Sequence, residues 1–242
     1  MAKKGEIDLV TEVDFECERM CRNVIAERFP DHDVLAEELS SDPPAPRRSR
    51  HRWIFDPLDG TTNYAHGLPI FCASLGLEID GRIAVGAVFD PTRQELFTAE
   101  RGEGAYLNGR ALAVSDTTTL LDSLLVTGFP YDVQARGADL VAMFGCFLGR
   151  ARAVRRLGSA ALDLCYVAAG RFEAFWEQHL KPWDVAAGAL IVEEAGGRVT
   201  GMDGAPFDLA AAHLVASNGR VHDQVLAVIR EFREDRARKR TH

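Results

Sequence analysis

Long apolar runs are missing from this 242-residue chain, so no segment reads as a membrane span. Cysteine is scarce too. Cys17, Cys21, Cys72, Cys146 and Cys165 are odd in number and lack C-x-x-C spacing, which excludes a disulfide framework and a cysteine-type zinc centre. The seven histidines show no metal-ligand spacing. The opening MAKKGEIDLV has no apolar signal region, so a cytoplasmic protein is expected. There is no internal repeat and no low-complexity tract. Basic residues are outnumbered: 28 Lys and Arg face 36 Asp and Glu, a net charge of −8. That balance argues against general nucleic-acid binding and suits a site that gathers cations.

What is present is an ordinary globular composition, 47% hydrophobic and 26% charged, long enough for one large domain or two intimate halves. Val13, Cys17, Met20, Cys21, Val24 and Ile25 recur at helical spacing, which predicts a helix from Thr11 to Phe29 with Thr11 as its cap. On this helix Cys17 and Cys21 read as core packing. A Pro- and Arg-rich stretch, SSDPPAPRRSRHR, reads as an exposed loop, and Trp53-Ile54-Phe55 as a short buried strand. From Phe71 to Val114 the pattern is β-rich, with hairpin turns expected at Asp80-Gly81 and Asn108-Gly109. After Ser115 short strands at 124–127, 172–176 and 214–216 alternate with helical stretches near 136–149, 159–169, 184–195 and 220–236. An antiparallel β-rich half, residues 1–115, therefore precedes an α/β half, residues 116–242, in one compact unit.

The segment IFDPLDGTTN carries the chemistry. Pro57 pushes Asp56 toward an extended backbone, and Gly60 permits a tight turn, so Asp56 and Asp59 can point at one spot. Two carboxylates that close repel unless a cation lies between them. Mg²⁺ is the natural candidate, a hard ion that prefers oxygen ligands. Gly60, Thr61 and Thr62 next offer backbone N–H groups to an anion if a helical turn starts there. Carboxylates for metal beside amides for phosphate suit metal-assisted phosphoryl transfer to water. The alternative is a plain Asx-type turn. Further acids have local readings of their own. Asp14 can close a capping box, Glu37-Glu38 can be a solvated pair, and Asp184 can favour a helix N-terminus. Spacing alone does not bring them together.

The set VTEVD, LAEEL, WIFDPLDGTTNYAHGLP, GSAALDLCYVAAGRFEAFWE and KPWDVAAG resembles the inositol monophosphatase family, within the lithium-sensitive, metal-dependent phosphatases, and is most similar to bacterial members. The likeness runs from about Asp8 to the last helix. It implies an α+β fold, a layered αβαβα sandwich of the sugar-phosphatase type. An antiparallel sheet is expected in the first half and a mixed one in the second. Carried over by motif, Glu37, Asp56 and the Leu58 carbonyl would hold one Mg²⁺, and Asp56, Asp59 and Asp184 a second. Glu37 would touch a third ion through water. Asp14 and Thr61 would activate the attacking water, with Glu37 also catalytic. Gly60 and Thr61 amides would bind phosphate, and Asp59, Ala160 and Glu177 the inositol hydroxyls.

The resemblance further implies a homodimer, inhibition by lithium and hydrolysis of inositol 1-phosphate. Family members carry a helix ahead of the DLVT segment. Only MAKKGEI precedes Asp8 here, so exposed apolar surface is expected where that helix packs. Related alternatives are fructose-1,6-bisphosphatase, histidinol phosphatase and 3′-phosphoadenosine 5′-phosphate phosphatase. The last would carry Lys where this chain has Thr62. A regulatory RNA- or protein-binding member is a different class. Its support is the basic tail and the Arg47, Arg48, Arg50, His51, Arg52 loop, which reads either as solvated surface or as a phosphate-steering patch.

Overall fold

The structure, a computed structural model, describes residues 2–3, 9–40, 46–130, 133–211 and 213–240. Asp8, residues 41–45 of the expected Pro- and Arg-rich loop, and the last two residues of the basic tail lie outside them. Two-residue strands β1 (Ala2–Lys3) and β2 (Leu9–Val10) pair antiparallel. Helix α1 (Glu12–Arg28) follows, with the Thr11 hydroxyl accepting from Val13 N and Asp14 closing the capping box.

Then come β3 (Asp33–Ala36), β4 (His51–Asp59), the short helix α2 (Thr61–Ala65), β5 (Cys72–Ile79), β6 (Arg82–Asp90), β7 (Glu95–Glu100), β8 (Gly104–Leu107) and β9 (Arg110–Ala111). These strands form one seven-stranded sheet in sequence order. It is antiparallel except at one edge, where β3 runs parallel to β4. Both expected hairpin turns are present, with Asp80-Gly81 and Asn108-Gly109 at positive φ, the geometry such two-residue loops require.

The second half contains β10 (Leu124–Thr127), α3 (Val133–Leu148), β11 (Ala153–Arg155), α4 (Ala160–Ala168), β12 (Ala174–Gln178), α5 (Pro182–Glu194), β13 (Arg198–Thr200), β14 (His213–Ser217) and α6 (His222–Arg240). Its five strands order as β11-β10-β12-β14-β13, with β10 parallel to both neighbours and β14 antiparallel to both of its own. The sheet is therefore mixed, as expected.

Five layers result: α1, the first sheet, α4 with α5, the second sheet, and α3 with α6. Strand alternation separates the cores. Phe175 and Ala216 face the central helices, while Trp176 and Val215 face α3 and α6. Ile54 joins the central core and Phe55 the one under α1. Each large apolar side chain among them, such as Val215, Ile54 or Phe55, contributes about 2 kcal/mol on removal from water. The run of small residues in α5 lets it lie directly on the first sheet. A Cβ on Gly86 would come within 2.9 Å of the Ala187 carbonyl. Glycine here is a requirement of backbone approach, not of a turn.

One expectation about α1 is corrected. The apolar stripe read from the sequence does not face inward as a whole: Met20 is 66% and Val24 53% exposed, and Cys17 and Cys21 are only half-buried. Asp14, Glu18 and Ile25 are the buried residues. The helix is rotated because Glu18 has donors to meet inside. It accepts from Arg22 and from the backbone amides of Glu38 and Leu39.

Candidate active site

The acids foreseen from the sequence lie at the ends of four elements that meet on one side of the molecule. Asp56 and Asp59 belong to β4. Residues three apart on a regular strand point to opposite faces. Here the pairing slips: Asp56 opposes Ser74 and Asp59 opposes Cys72, three residues against two. This bulge absorbs one residue and restores both carboxylates to one side. It also accommodates Pro57, which has no N–H for the ladder. Strand β4 is thus nine residues long rather than the three expected.

The turn that follows is closed by Gly60 at φ 97°, where a Cβ would meet the Ile70 carbonyl at 2.9 Å. Helix α2 then begins with Thr61. Its hydroxyl is 3.0 Å from Asp14 Oδ1 and 3.0 Å from the Leu58 carbonyl. Asp14 divides its two oxygens: Oδ2 accepts from Thr11 N at 2.8 Å and Thr11 Oγ1 at 2.5 Å, and Oδ1 serves Thr61. Capping and site roles coexist in one residue.

The second half closes the site. Ser159 caps α4 and donates to Asp59 Oδ2 at 2.7 Å, and Ala161 N donates to the same oxygen at 2.7 Å. Asn63 Nδ2 donates to the Leu157 carbonyl at 2.9 Å, tying α2 to the chain that leads into α4. Asp184, in the first turn of α5, accepts from Lys181 N at 2.7 Å. Glu177 lies on β12, which packs against α4, the helix that begins at Ala160.

The electrostatics show that these groups share a field. Burial pushes the Asp56 carboxyl well up, and the charges of Glu37, Asp59 and Asp184 add to it. Asp184 is raised by burial and then by Asp59, Glu37 and Glu177. Asp59 is raised by burial in spite of its donors. The hydrogen bonds that Asp56, Asp59 and Asp184 accept come from backbone amides, a hydroxyl and a thiol. Among the described residues, no three such side chains are drawn together tightly enough to hold an ion without rearrangement. Each of these carboxylates is held by donors of its own, Asp56 by Leu58 N, Asp184 by Lys181 N and Asp59 by Ser159 and Ala161 from the other half of the chain. The donor set itself, carboxylates plus the Leu58 carbonyl, is all oxygen and fits a hard divalent cation.

A model of the inositol monophosphatase family matches residues 1–234. The chain belongs to the inositol monophosphatase family. Family relatives carry two kinds of name. An inositol-1-monophosphatase of Synechocystis is 46% identical over 90% of this chain and 75% of its own. The Nus factor SuhB of Pseudomonas aeruginosa is 44% identical over 94% and 84%. The solved structure of an inositol monophosphatase from Anabaena superposes with a TM-score of 0.87 at 44% identity, over 92% of this chain and 87% of its own. These likenesses support a phosphatase of this superfamily.

Several residues escaped the sequence reading. Glu18 holds the turn that presents Glu37, and its only signal was the four-residue spacing from Asp14 on one helix face. Ser159, the Asp59 donor, was visible only as a helix cap before the AAL run. The arginine-rich loop is engaged locally: Arg47 pairs with Glu78 at 3.1 Å, Arg50 with Asp80 at 2.5 Å, and the Arg48 amide donates to Asp33. Those contacts favour the surface reading of the loop over phosphate steering.

Proposed function

We propose that this family member is a Mg²⁺-dependent phosphatase that hydrolyses inositol 1-phosphate to inositol and phosphate. The reading is supported above all by one arrangement: the Asp14–Thr61 hydrogen bond set beside the buried Asp56, Asp59 and Asp184 group. Glu37, Asp56 and the Leu58 carbonyl would hold one cation, and Asp56, Asp59 and Asp184 another. Bound divalent cations acidify water and neutralise charge on the phosphoryl and leaving oxygens.

The chain's own groups do the rest. Thr61 gives its single hydroxyl proton to Asp14, so its lone pairs accept from the attacking water and aim it. Asp14 is the base that collects the proton through Thr61. The Gly60 and Thr61 amides, at the start of α2, bind the phosphoryl oxygens. Asp59, the Ala160 backbone and Glu177 bind the ring hydroxyls. Asp59 Oδ2 is committed to Ser159 and Ala161, which leaves Oδ1 for this work.

The test is phosphate release from myo-inositol 1-phosphate by wild type and Asp56→Asn, with and without Mg²⁺. The comparison panel holds fructose 1,6-bisphosphate, 3′-phosphoadenosine 5′-phosphate and histidinol phosphate. Preference for another member of the panel would replace the substrate, and equal rates for the two proteins would overturn the mechanism. Inhibition by lithium and a homodimer in light scattering belong to the same reading. The resemblance to SuhB favours a second one, in which the fold also binds a macromolecular partner. Affinity for RNA or protein with no phosphatase activity on any phosphomonoester would favour that alternative.

A further inference from the structure

Gly128 follows the last residue of β10 and lies beside Glu177. Strands β10 and β12 run parallel with Thr127 opposite Trp176, so the next residues along, Gly128 and Glu177, are neighbours across the ladder. The Thr127 hydroxyl donates to the Trp176 carbonyl at 2.6 Å and locks that register. Gly128 is not at a positive φ, so its backbone demands no glycine, and glycine there only adds freedom that folding must remove. What excludes a side chain is the acid across the ladder. A Cβ on Gly128 would lie 1.9 Å from Glu177 Oε2, 2.2 Å from Cδ and 2.3 Å from Oε1. The carboxyl group thus fills the space that a side chain at 128 would occupy, the kind of close approach that glycine in a strand permits. Asp59 is anchored by donors from Ser159 and Ala161. Among the described residues no donor holds the Glu177 carboxyl in the same way, and the residue is buried. Its position is set by contact.

We propose that Gly128 is a positioning residue that sets specificity for hydroxyl-bearing leaving groups through Glu177: its missing side chain lets the carboxyl group lie back against the end of β10 and keeps room in front of it for the substrate ring. The inference rests on the reading of Glu177 as a contact to substrate hydroxyls. A methyl group at 128 needs about 3.5 Å from the carboxyl atoms, so the carboxyl group must move by roughly 1.5 Å. The main chain on either side is held by the parallel ladder and the Thr127 bond. Nor is there space behind. The gap beside the pair, lined by Thr127, Phe129, Leu140, Met143, Trp176 and Gln178, has a volume of about 10 Å³, room for one water at most. The carboxyl group therefore moves toward the open side, where the leaving group binds. An ionised carboxylate only accepts hydrogen bonds, so it recognises hydroxyls by where its oxygens stand. A shift of about 1 Å in a positioned group can cost up to about a hundredfold in rate. The clash is with the far end of a flexible side chain, so the fold itself is spared.

The test is a double-mutant cycle on the full chain with Mg²⁺: Gly128→Ala, Glu177→Ala and the two together. Each protein is assayed on inositol 1-phosphate and on 4-nitrophenyl phosphate, which has no ring hydroxyls. In Gly128→Ala the ratio of kcat/KM for inositol 1-phosphate to that for 4-nitrophenyl phosphate is expected to fall about tenfold, mostly through KM. In the Glu177→Ala background, where the clash is gone, adding Gly128→Ala should change that ratio by less than about twofold. A crystal structure of Gly128→Ala should show the Glu177 carboxyl group displaced by about 1 Å or more. An unchanged ratio in Gly128→Ala, an equal loss on both substrates, a loss that persists in full in the Glu177→Ala background, or a carboxyl group that has not moved would overturn the proposal. If Gly128→Ala does not fold, its rescue by Glu177→Ala supports the contact, and failure of the double variant to fold overturns it. Wild type that cleaves 4-nitrophenyl phosphate but spares inositol 1-phosphate would remove the inositol reading only. The ratio is then taken with the hydroxyl-bearing substrate that the protein prefers, and the same cycle decides the role of Gly128.

Discussion

Asp90, at the end of β6, and Asp56, within β4, are both buried aspartates of one sheet, and the molecule treats them in opposite ways. Asp90 is 0% exposed and Asp56 4%. Asp90 accepts from Thr92 N at 2.8 Å, Thr92 Oγ1 at 2.7 Å, Arg93 N at 3.1 Å and the Arg93 guanidinium at 2.9 Å. Burial alone would raise its pKa, yet these donors outweigh it and leave the carboxyl below its usual range. Asp56 accepts from Leu58 N at 2.8 Å and faces three other acids, so burial and like charge together push it up. A fold that needs a carboxylate for structure surrounds it with donors. Where it withholds them, the missing positive charge is to be supplied from solution.

The largest expected effect comes from removing the uncompensated member. Asp56→Asn should lower phosphate release by about three orders of magnitude, the scale of a lost electrostatic stabiliser of the transition state. The same change should raise the thermal midpoint of the metal-free protein, because one repelling charge is gone. Mg²⁺ should then stabilise wild type more than the variant. A lower midpoint in the variant would erase the contrast.

Asp90→Asn tests the other side. It keeps the shape and loses the charge, and should destabilise the fold by about 2–3 kcal/mol in denaturant titrations. Turnover of the folded fraction should be intact. A loss of kcat without a loss of stability would place Asp90 in the site.

These contrasts also mark what the amino-acid sequence could disclose. Asp80-Gly81, Asn108-Gly109 and the Gly60 bend were readable because turn chemistry is local, and each residue must meet its own φ. The five-motif resemblance carried the layered architecture. The nine-residue length of β4 was hidden, since a proline inside a strand argues for an end unless a bulge absorbs it. The inward face of α1 was misread because apolar periodicity ignores a buried acid with distant donors. Glu18 meets the amides of Glu38 and Leu39 only after the chain folds back.

A third effect follows pH. Burial first of all raises the Glu177 carboxyl from 4.5 to about 8, with Asp59 adding and Arg156 opposing. A raised carboxyl contributes stability that is full below its unfolded pKa and lost as pH rises through the folded one. Metal-free wild type should therefore lose stability between pH 4.5 and about 8, with a slope of at most ~1.4 kcal/mol per pH unit from this group. Glu177→Gln should lessen that slope, with the raised Asp56, Asp59 and Asp184 carboxyls supplying the remainder. Asp90 acts in the reverse sense: its lowered pKa contributes stability above the unfolded value, lost as pH falls through the folded one. Calorimetric scans across pH in chelator check both signs.

The smallest effect belongs to the surface. Arg150 and Glu231 pair at 2.6 Å with both side chains close to half exposed. Arg150→Ala should change stability by less than about 0.5 kcal/mol, because solvent screens such pairs. A larger loss in a double-mutant cycle would mean that the difference between compensated and uncompensated acids is not confined to the interior.

The most direct measurement is an anomalous difference map from crystals of this protein soaked in Mn²⁺, a stand-in for Mg²⁺. The account predicts peaks within coordination distance of Asp56, with Asp59 and Asp184 around one and Glu37 and the Leu58 carbonyl around another. Manganese bound elsewhere, with no density between these side chains in a protein that still releases phosphate, would contradict it.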